Sequence, residues 1–163
     1  MWQPKGLFAV KQHMSKSFLV DSGTNRANSN TKRVASLYHR ILSEKAIHSE
    51  IYSLEGWSWF SKNPDFDEIQ KNLFIPASHI VFVAPEYNGS FPGVLKTMID
   101  ISDHQTVWQG KKALLVGVST GRAGNLRGME HLTVILHFLK VDVHHNKLPI
   151  SSVDKLKIGR AHV

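Results

Sequence analysis

Three short stretches of this chain carry residue types that bind anions and flat polar rings. The first, Ser22-Gly23-Thr24-Asn25-Arg26-Ala27-Asn28-Ser29, offers hydroxyls from Ser22, Thr24 and Ser29, the Arg26 guanidinium, and backbone N–H groups. A loop of this kind, running from a strand into a helix N-terminus, can hold a phosphate dianion by charge-assisted hydrogen bonds and the helix-end partial charge. It is neither a Walker loop, since no Gly-Lys-Ser/Thr follows, nor a GxGxxG dinucleotide loop. On spacing alone, an ordinary strand–helix turn whose Ser and Asn cap the helix stays equally open. The second stretch holds Pro85, Glu86, Tyr87, Asn88, Gly89 and Ser90. Gly89 lets a flat ligand approach the backbone, amides can address the edge of a heteroaromatic ring, and Tyr87 can stack. By composition alone it is a tight turn in which Asn88-Gly89 reverses the chain. The third, Ser119 to Gly128, has three glycines (Gly121, Gly124, Gly128), the hydroxyls of Ser119 and Thr120, and two arginines. It can wrap a ring face, or be a plain surface loop.

Such loops work together only if strands bring them to one edge. Ser17-Phe18-Leu19-Val20, His79 to Ala84 and Ala113 to Val118 are short apolar runs that stop at turn residues, the pattern of buried parallel strands. Glu50 to Leu54 and Val141-Asp142-Val143 are weaker candidates, the latter read as the last strand. Between them lie helical patterns. From Ser29 or Asn30 as cap, Val34, Leu37, Tyr38, Ile41 and Leu42 make one buried face, with Arg40 and Glu44 paired one turn apart on the wet side. Asp67 to Phe74 predicts a short helix. Pro92 starts another, with Val94, Leu95, Met98 and Ile99 facing the core, and Met129, Leu132, Ile135, Leu136 and Leu139 mark a further one. Gly56 to Asp65 is irregular, its Trp57, Trp59 and Phe60 reading as a cover over the core. Strands alternating with helices give an α/β fold with a parallel sheet, whose ligand crevice lies beyond the carboxyl ends of the strands. All three loops sit at such ends.

The 163 residues fit one domain, and 42% hydrophobic with 20% charged residues is ordinary globular usage. With no cysteine, disulfides, thiol catalysis and cysteine-held metal clusters are excluded. No apolar run reaches membrane-spanning length and no signal-peptide pattern opens the chain, so a cytoplasmic protein without a membrane partner is expected. The net charge of +7 is spread along the chain, without an arginine-rich helix interleaved with aromatics, so nucleic acid is not the expected partner.

Gly23-Thr24-Asn25-Arg26 followed by Ser29 and Asn30, then Pro85-Glu86-Tyr87-Asn88-Gly89-Ser90 with Pro92-Gly93-Val94-Leu95-Lys96 and Asp100, then Ser119-Thr120-Gly121 with Gly124 and Arg127, resemble the NADPH-dependent FMN reductase family and its quinone and azo-dye reductases. The resemblance runs from Lys16 to Ile150. It implies a flavodoxin-like, doubly wound, five-stranded parallel sheet of order 2-1-3-4-5. It also implies non-covalent FMN, NADPH or NADH as reductant, hydride transfer to a flavin, quinone or similar small acceptor, and a homodimer or homotetramer. It assigns Thr24, Arg26, Ser29 and Asn30 to phosphate, and Pro85, Glu86, Tyr87, Asn88, Gly89, Ser119, Thr120, Gly121 and Gly124 to the ring system. No catalytic side chain and no metal are implied, the chemistry residing on the flavin.

Two features depart from that pattern. Asp21 places a carboxylate where the family has a small or apolar residue, which is unfavourable beside a phosphate unless it points away. The family's final helix is expected to be missing; residues 157–163 read as a non-native tail, residues 1–13 as an extension before a start at Met14, and residues 14–156 as the domain. Among rivals, Gly117-Val118-Ser119-Thr120-Gly121 matches the G-x-S-x-G elbow of serine hydrolases, with Asp142 and His144 following. A non-enzymatic FMN electron carrier is the other, although carriers tend to be acidic. The ten histidines lack metal-ligand spacing: His131 and His137 are six apart, and His144-His145 on a strand point apart.

Overall fold

A computed structural model describes residues 17–158. The proposed extension, residues 1–13, lies outside those residues; of the proposed tail, residues 157–163, only Lys157 and Ile158 lie within them, and Ile158 is buried beside Val34 and Val153. The chain alternates strand and helix: β1 Phe18–Ser22, α1 Asn30–Glu44, β2 Ser49–Ser53, α2 Pro64–Ile69, β3 His79–Pro85, α3 Gly93–Ile101, α4 His104–Val107, β4 Lys112–Val118, α5 Leu126–Phe138, β5 Asp142–Val143 and β6 Leu148–Ile150. The strands form one parallel sheet in the order β2-β1-β3-β4-β5, the order the family resemblance implies, with β6 also paired to β4.

The helices start and stop for local reasons. Ser29 caps α1 by accepting from the Lys32 N–H at 3.1 Å, and the expected Arg40–Glu44 pair forms one turn apart at 3.7 Å. The second helix begins three residues before the expected Asp67, because Asn63 accepts from Asp65 N–H at 2.8 Å and Pro64 needs no partner for its nitrogen. It then widens into a π-helical turn, Gln70–Phe74. Pro92 stands one position earlier than expected, as the residue preceding α3.

The last strand differs most from the sequence reading. It is two short strands rather than one: β5 pairs with Lys112–Ala113 at the start of β4, and β6 pairs with Val116–Val118 at its end. The break between them contains His144 and His145. Their rings stack with centroids 4.6 Å apart instead of pointing apart as they would on a strand. Asp142-Val143 alone was legible because Leu148-Pro149-Ile150 has a proline, which sits where edge pairing needs no donor.

Helices cover both faces of the sheet, giving two apolar layers. Leu19, Phe82, Leu95, Met98, Trp108, Leu115, Met129 and Leu132 fill one, and Val20, Val34, Ala35, Val81, Val83, Val116 and Val118 the other. Trp57 and Trp59 close the first layer against Phe66, with ring centroids 5.9 and 6.0 Å from it. They cover the core, as expected, whereas Phe60 stays 84% exposed.

Two charged side chains are buried in this frame. Lys111 reaches under the π-helical turn and donates to the carbonyls of Ile75, at 3.1 Å, and Ala77. Burial lowers its pKa. Asp21 lies on the aromatic side of β1, level with Tyr52 on β2 and Phe82 on β3, wholly buried and without a hydrogen-bond partner among the described residues. Desolvation pushes its carboxyl from 3.8 up to about 8, so it is neutral at pH 7, and its proximity helps raise the Tyr52 phenol. The carboxyl points into the core, and the clash with a phosphate anticipated from the sequence does not arise.

An acid whose native pKa is raised binds more protons folded than unfolded, so stability falls as pH rises between about 4 and about 8. Asp21→Asn is expected to flatten that fall, bringing the urea midpoints at pH 5 and pH 8 closer together; an unchanged difference would refute the assignment. Lys111→Met strands two carbonyls and is expected to cost about 1–3 kcal/mol in urea unfolding, with no change in the pH profile attributed to Asp21.

Candidate functional site

The three loops leave the carboxyl ends of β1, β3 and β4. Since Ser22 is level with Val83, and Pro85 with Val118, they emerge side by side. Loop 1 starts with Gly23 N–H donating to Val83 O at 2.9 Å, which carries the chain over β3. Thr24 is buried and its hydroxyl lies 2.6 Å from the Tyr87 hydroxyl of loop 2. The Arg26 guanidinium sits 4.0 Å from the centroid of the Tyr87 ring, a cation–π contact at an exposed position. Thr24, Arg26 and Tyr87 are thus brought together, as a joint between two loops. Asn25 and Ala27 N–H groups make no hydrogen bond within the described residues.

Ser29 and Asn30 are placed differently from the rest of that set. The Ser29 hydroxyl is occupied as the cap of α1, and Asn30 Oδ1 accepts from Arg33 Nη1 at 3.2 Å, on its own helix. Both therefore act through the helix end they build.

In loop 2, Tyr87 and Ser90 exchange backbone hydrogen bonds at 2.8 and 3.1 Å around Asn88 and Gly89, whose φ values are 52° and 79°. Two positive φ values in succession form the tight turn that Asn-Gly favours. The turn reading and the ring-contact reading are therefore compatible: the hairpin holds Asn88 outward and Gly89 close to Arg127 in the first turn of α5.

Loop 3 is joined to loop 2 by a residue the sequence reading did not select. Asn125 is wholly buried, with φ of 62°; its Nδ2 donates to Ala84 O and Pro85 O at 3.0 Å each, and its N–H donates to Glu86 Oε2 at 3.2 Å. Glu86 also donates its own N–H to Val118 O at 2.9 Å. Ser119 Oγ donates to Gly121 O and accepts from Gly124 N–H, at 3.0 and 2.9 Å, folding the loop over itself. Gly117 is required for this closure, since a Cβ there would stand 2.0 Å from Gly124 O. Thr120 and Gly121 lie exposed at the mouth, with open space around Gly121. Two further residues reach these loops unannounced by any motif. His131 Nδ1 lies 2.9 Å from Ser90 Oγ, and Glu55 Oε1 accepts from Asn28 N–H at 2.9 Å.

This geometry removes the serine-hydrolase reading. Ser119 follows the far end of β4, whereas Asp142 pairs with Lys112 at its beginning, a separation of more than about 20 Å at strand rise. The Ser119 Oγ proton is spent on Gly121 O, and the oxygen also accepts from Gly124 N–H, both within its own loop. One cavity, of about 440 Å³, lies where loop 1 enters α1, lined by Asn28, Ser29, Lys32, Arg33, Ser36 and Ile158. A groove of about 780 Å³, lined by Tyr38, Leu42, Leu114 and Val143 among others, opens at the end of the strands away from the loops. A smaller one of about 350 Å³ adjoins loops 1 and 2, between Asn25, Trp57, Trp59, Phe60, Tyr87 and Val94.

Comparison with known proteins gives the arrangement a context. Residues 17–153 match the model of the NADPH-dependent FMN reductase family. The chain is 29% identical over 138 residues to a 2-hydroxy-1,4-benzoquinone reductase of a Burkholderia species, covering 78% of this chain and 74% of that one. It is 39% identical over 113 residues to the NAD(P)H-dependent FMN reductase LOT6 of Saccharomyces cerevisiae, covering 68% of this chain and 54% of the yeast protein. Its fold is similar to that of FerB, a flavoenzyme NAD(P)H:(acceptor) oxidoreductase from Paracoccus denitrificans, with a TM-score of 0.69 and 21% identity over 90% of this chain and 84% of that one. An archaeal flavodoxin superposes with a TM-score of 0.55 at 15% identity over 83% of this chain and 82% of that one, the same fold again. With a family model spanning the sheet and all three loops, this chain belongs to the NADPH-dependent FMN reductase family of flavodoxin-like oxidoreductases.

Proposed function

We propose that the chain holds FMN non-covalently on its three loops and, as a homodimer or homotetramer, reduces a small acceptor such as a quinone or a flavin at the expense of NADPH or NADH. The observation that carries this reading is the Thr24–Tyr87–Arg26 joint, which ties an anion-binding loop to a ring-binding loop at one edge of the sheet. The unpartnered N–H groups of Asn25 and Ala27, the exposed Arg26 and the N-terminus of α1 suit a phosphate. The glycine-bearing turns at Gly89 and Gly121 leave room for a flat ring beside the backbone. The residues present therefore fit the cofactor of the family.

FMN, when bound, supplies two-electron chemistry, taking hydride from the nicotinamide and giving it to the acceptor. The protein's part is positional. Arg26, now over the Tyr87 ring, would hold the phosphate, while Thr24 and Tyr87 join loops 1 and 2. Pro85, Glu86, Tyr87, Asn88 and Gly89 of loop 2 and Ser119, Thr120, Gly121 and Gly124 of loop 3 would hold the ring system. Ser29 and Asn30 contribute by building the helix end. Glu86 is committed to the Asn125 N–H and Ser119 to its own loop, so neither is placed as an acid or base. The aromatic cavity beside loop 2 is the place for a second flat ring, which agrees with the relative that is a benzoquinone reductase.

Purified protein is expected to be yellow, to release FMN on denaturation and to oxidise NAD(P)H with a quinone. A folded, colourless protein that fails to bind added FMN would overturn the proposal. Arg26→Ala is expected to weaken FMN about ten- to a hundredfold, the worth of a charge-assisted contact, and Tyr87→Phe to weaken it less. Both are read by quenching of FMN fluorescence.

A further inference from the structure

Loop 1 already holds a carboxylate. Glu55 follows β2, crosses to the start of α1, accepts from the Asn28 N–H at 2.9 Å through Oε1, and forms an ion pair through Oε2 with Lys32 in the first turn of that helix. These two contacts hold the Glu55 carboxyl below the usual carboxylate range, so it is charged at neutral pH. The other two carboxylates near the loops are out of play: Asp21 points into the core and Glu86 is held by Asn125. Nor is Arg33 withheld by an acid, since its guanidinium donates to Asn30 Oδ1 and Ile158 O. Among the described residues, Glu55 is therefore the one carboxylate hydrogen-bonded to the anion loop, and Lys32 the cation it withholds.

We infer that Glu55 is a built-in competitor for the phosphate on loop 1: its carboxylate holds the Asn28 N–H and the Lys32 ammonium when no anion is bound, and gives up Lys32 when one is. The inference rests on the phosphate-binding role of loop 1 proposed above. A dianion arriving beside Arg26 meets a fixed negative charge on the same donors, so its affinity is lowered by repulsion and by the loss of Lys32 as a partner. The penalty falls equally on every ligand that places a phosphate there, so a small phosphate, with no other contacts, is held weakly. The alternative role for Glu55 is purely architectural: by tying Asn28 to Lys32 it would shape the loop for its ligand, and its removal would weaken binding.

The two roles predict opposite signs for one substitution. Glu55→Gln keeps the size and one acceptor oxygen but removes the charge. In the full chain it is expected to tighten inorganic phosphate about three- to fivefold, the scale of one exposed charge contact, and FMN by a similar factor. Phosphate is read by calorimetry and FMN by fluorescence quenching. Lys32→Met is expected to weaken phosphate more in the Glu55→Gln background than in the wild type, because only there is Lys32 free to pair with the anion. Equal or weaker phosphate binding by Glu55→Gln, in a protein that still binds FMN, overturns the inference and leaves the FMN reading standing. Wild type and variants that are folded but bind neither ligand overturn both.

Discussion

Asn125 spends its side-chain amide on two carbonyls at the end of β3 and its N–H on Glu86, while its own backbone adopts a left-handed conformation to do so. Loop 3 would otherwise be a glycine-rich segment with no preferred position relative to loop 2. Buried hydrogen bonds of this kind specify position more than they add net stability, since leaving either carbonyl unpartnered would cost more than the bond contributes. The glycine at position 117 is the counterpart of this contact, because the loop that Asn125 anchors folds back within van der Waals distance of β4. Once loops 2 and 3 are fixed to each other, Thr24 and Tyr87 fix loop 1 to both. The site is thus a single framework hung from three strand ends.

The same strand ends explain where the protein tolerates strain. Asp21 and Ser22 are the last residues of β1, buried, with side-chain oxygens that find no partner among the described residues. A carboxylic acid at that place is neutral at pH 7 only because desolvation outweighs everything else acting on it. The consequence bears on the phosphate proposed for loop 1: a charged Asp21, one residue from Ser22 and two from Gly23, would repel it through the low-dielectric core, whereas a protonated one does not.

Four of the strand positions, the N-cap of α1 and the three loops were legible in the sequence because each rests on a local pattern, whereas the sheet order came only with the family resemblance. β-branched runs, a capping serine and an Asn-Gly pair mark their places by composition alone. What stayed hidden depends on contacts between segments. The split of the last strand follows from β4 being longer than any single apolar run that could pair with it, which no window around Val143 or Leu148 reveals. Asn125 lay inside the expected third loop, but nothing in Gly124-Asn125-Leu126 distinguishes a solvent-facing asparagine from one whose side chain crosses to β3. Ser29 and Asn30 match the family motif by type, yet their side chains serve the helix, so a motif letter and a ligand contact are separate facts. Glu55 was invisible for the same reason: it reaches Asn28 only because β2 lies beside β1.

These contacts divide the labour between backbone and side chain in a way that suits a cofactor enzyme. The polar side chains at the centre of the site, Glu86, Ser119 and Asn125, are consumed in holding loops, and the groups left at the mouth are backbone amides, glycines, Thr120 and Arg26. A site that had to move protons would need the reverse, with titratable groups free and the loops held by something else. Where the ligand carries the reactivity, the protein gains more from fixing the ligand's orientation to within a fraction of an ångström than from offering an acid or a base. The aromatic wall of Trp57, Trp59 and Phe60 borders this framework without being part of it.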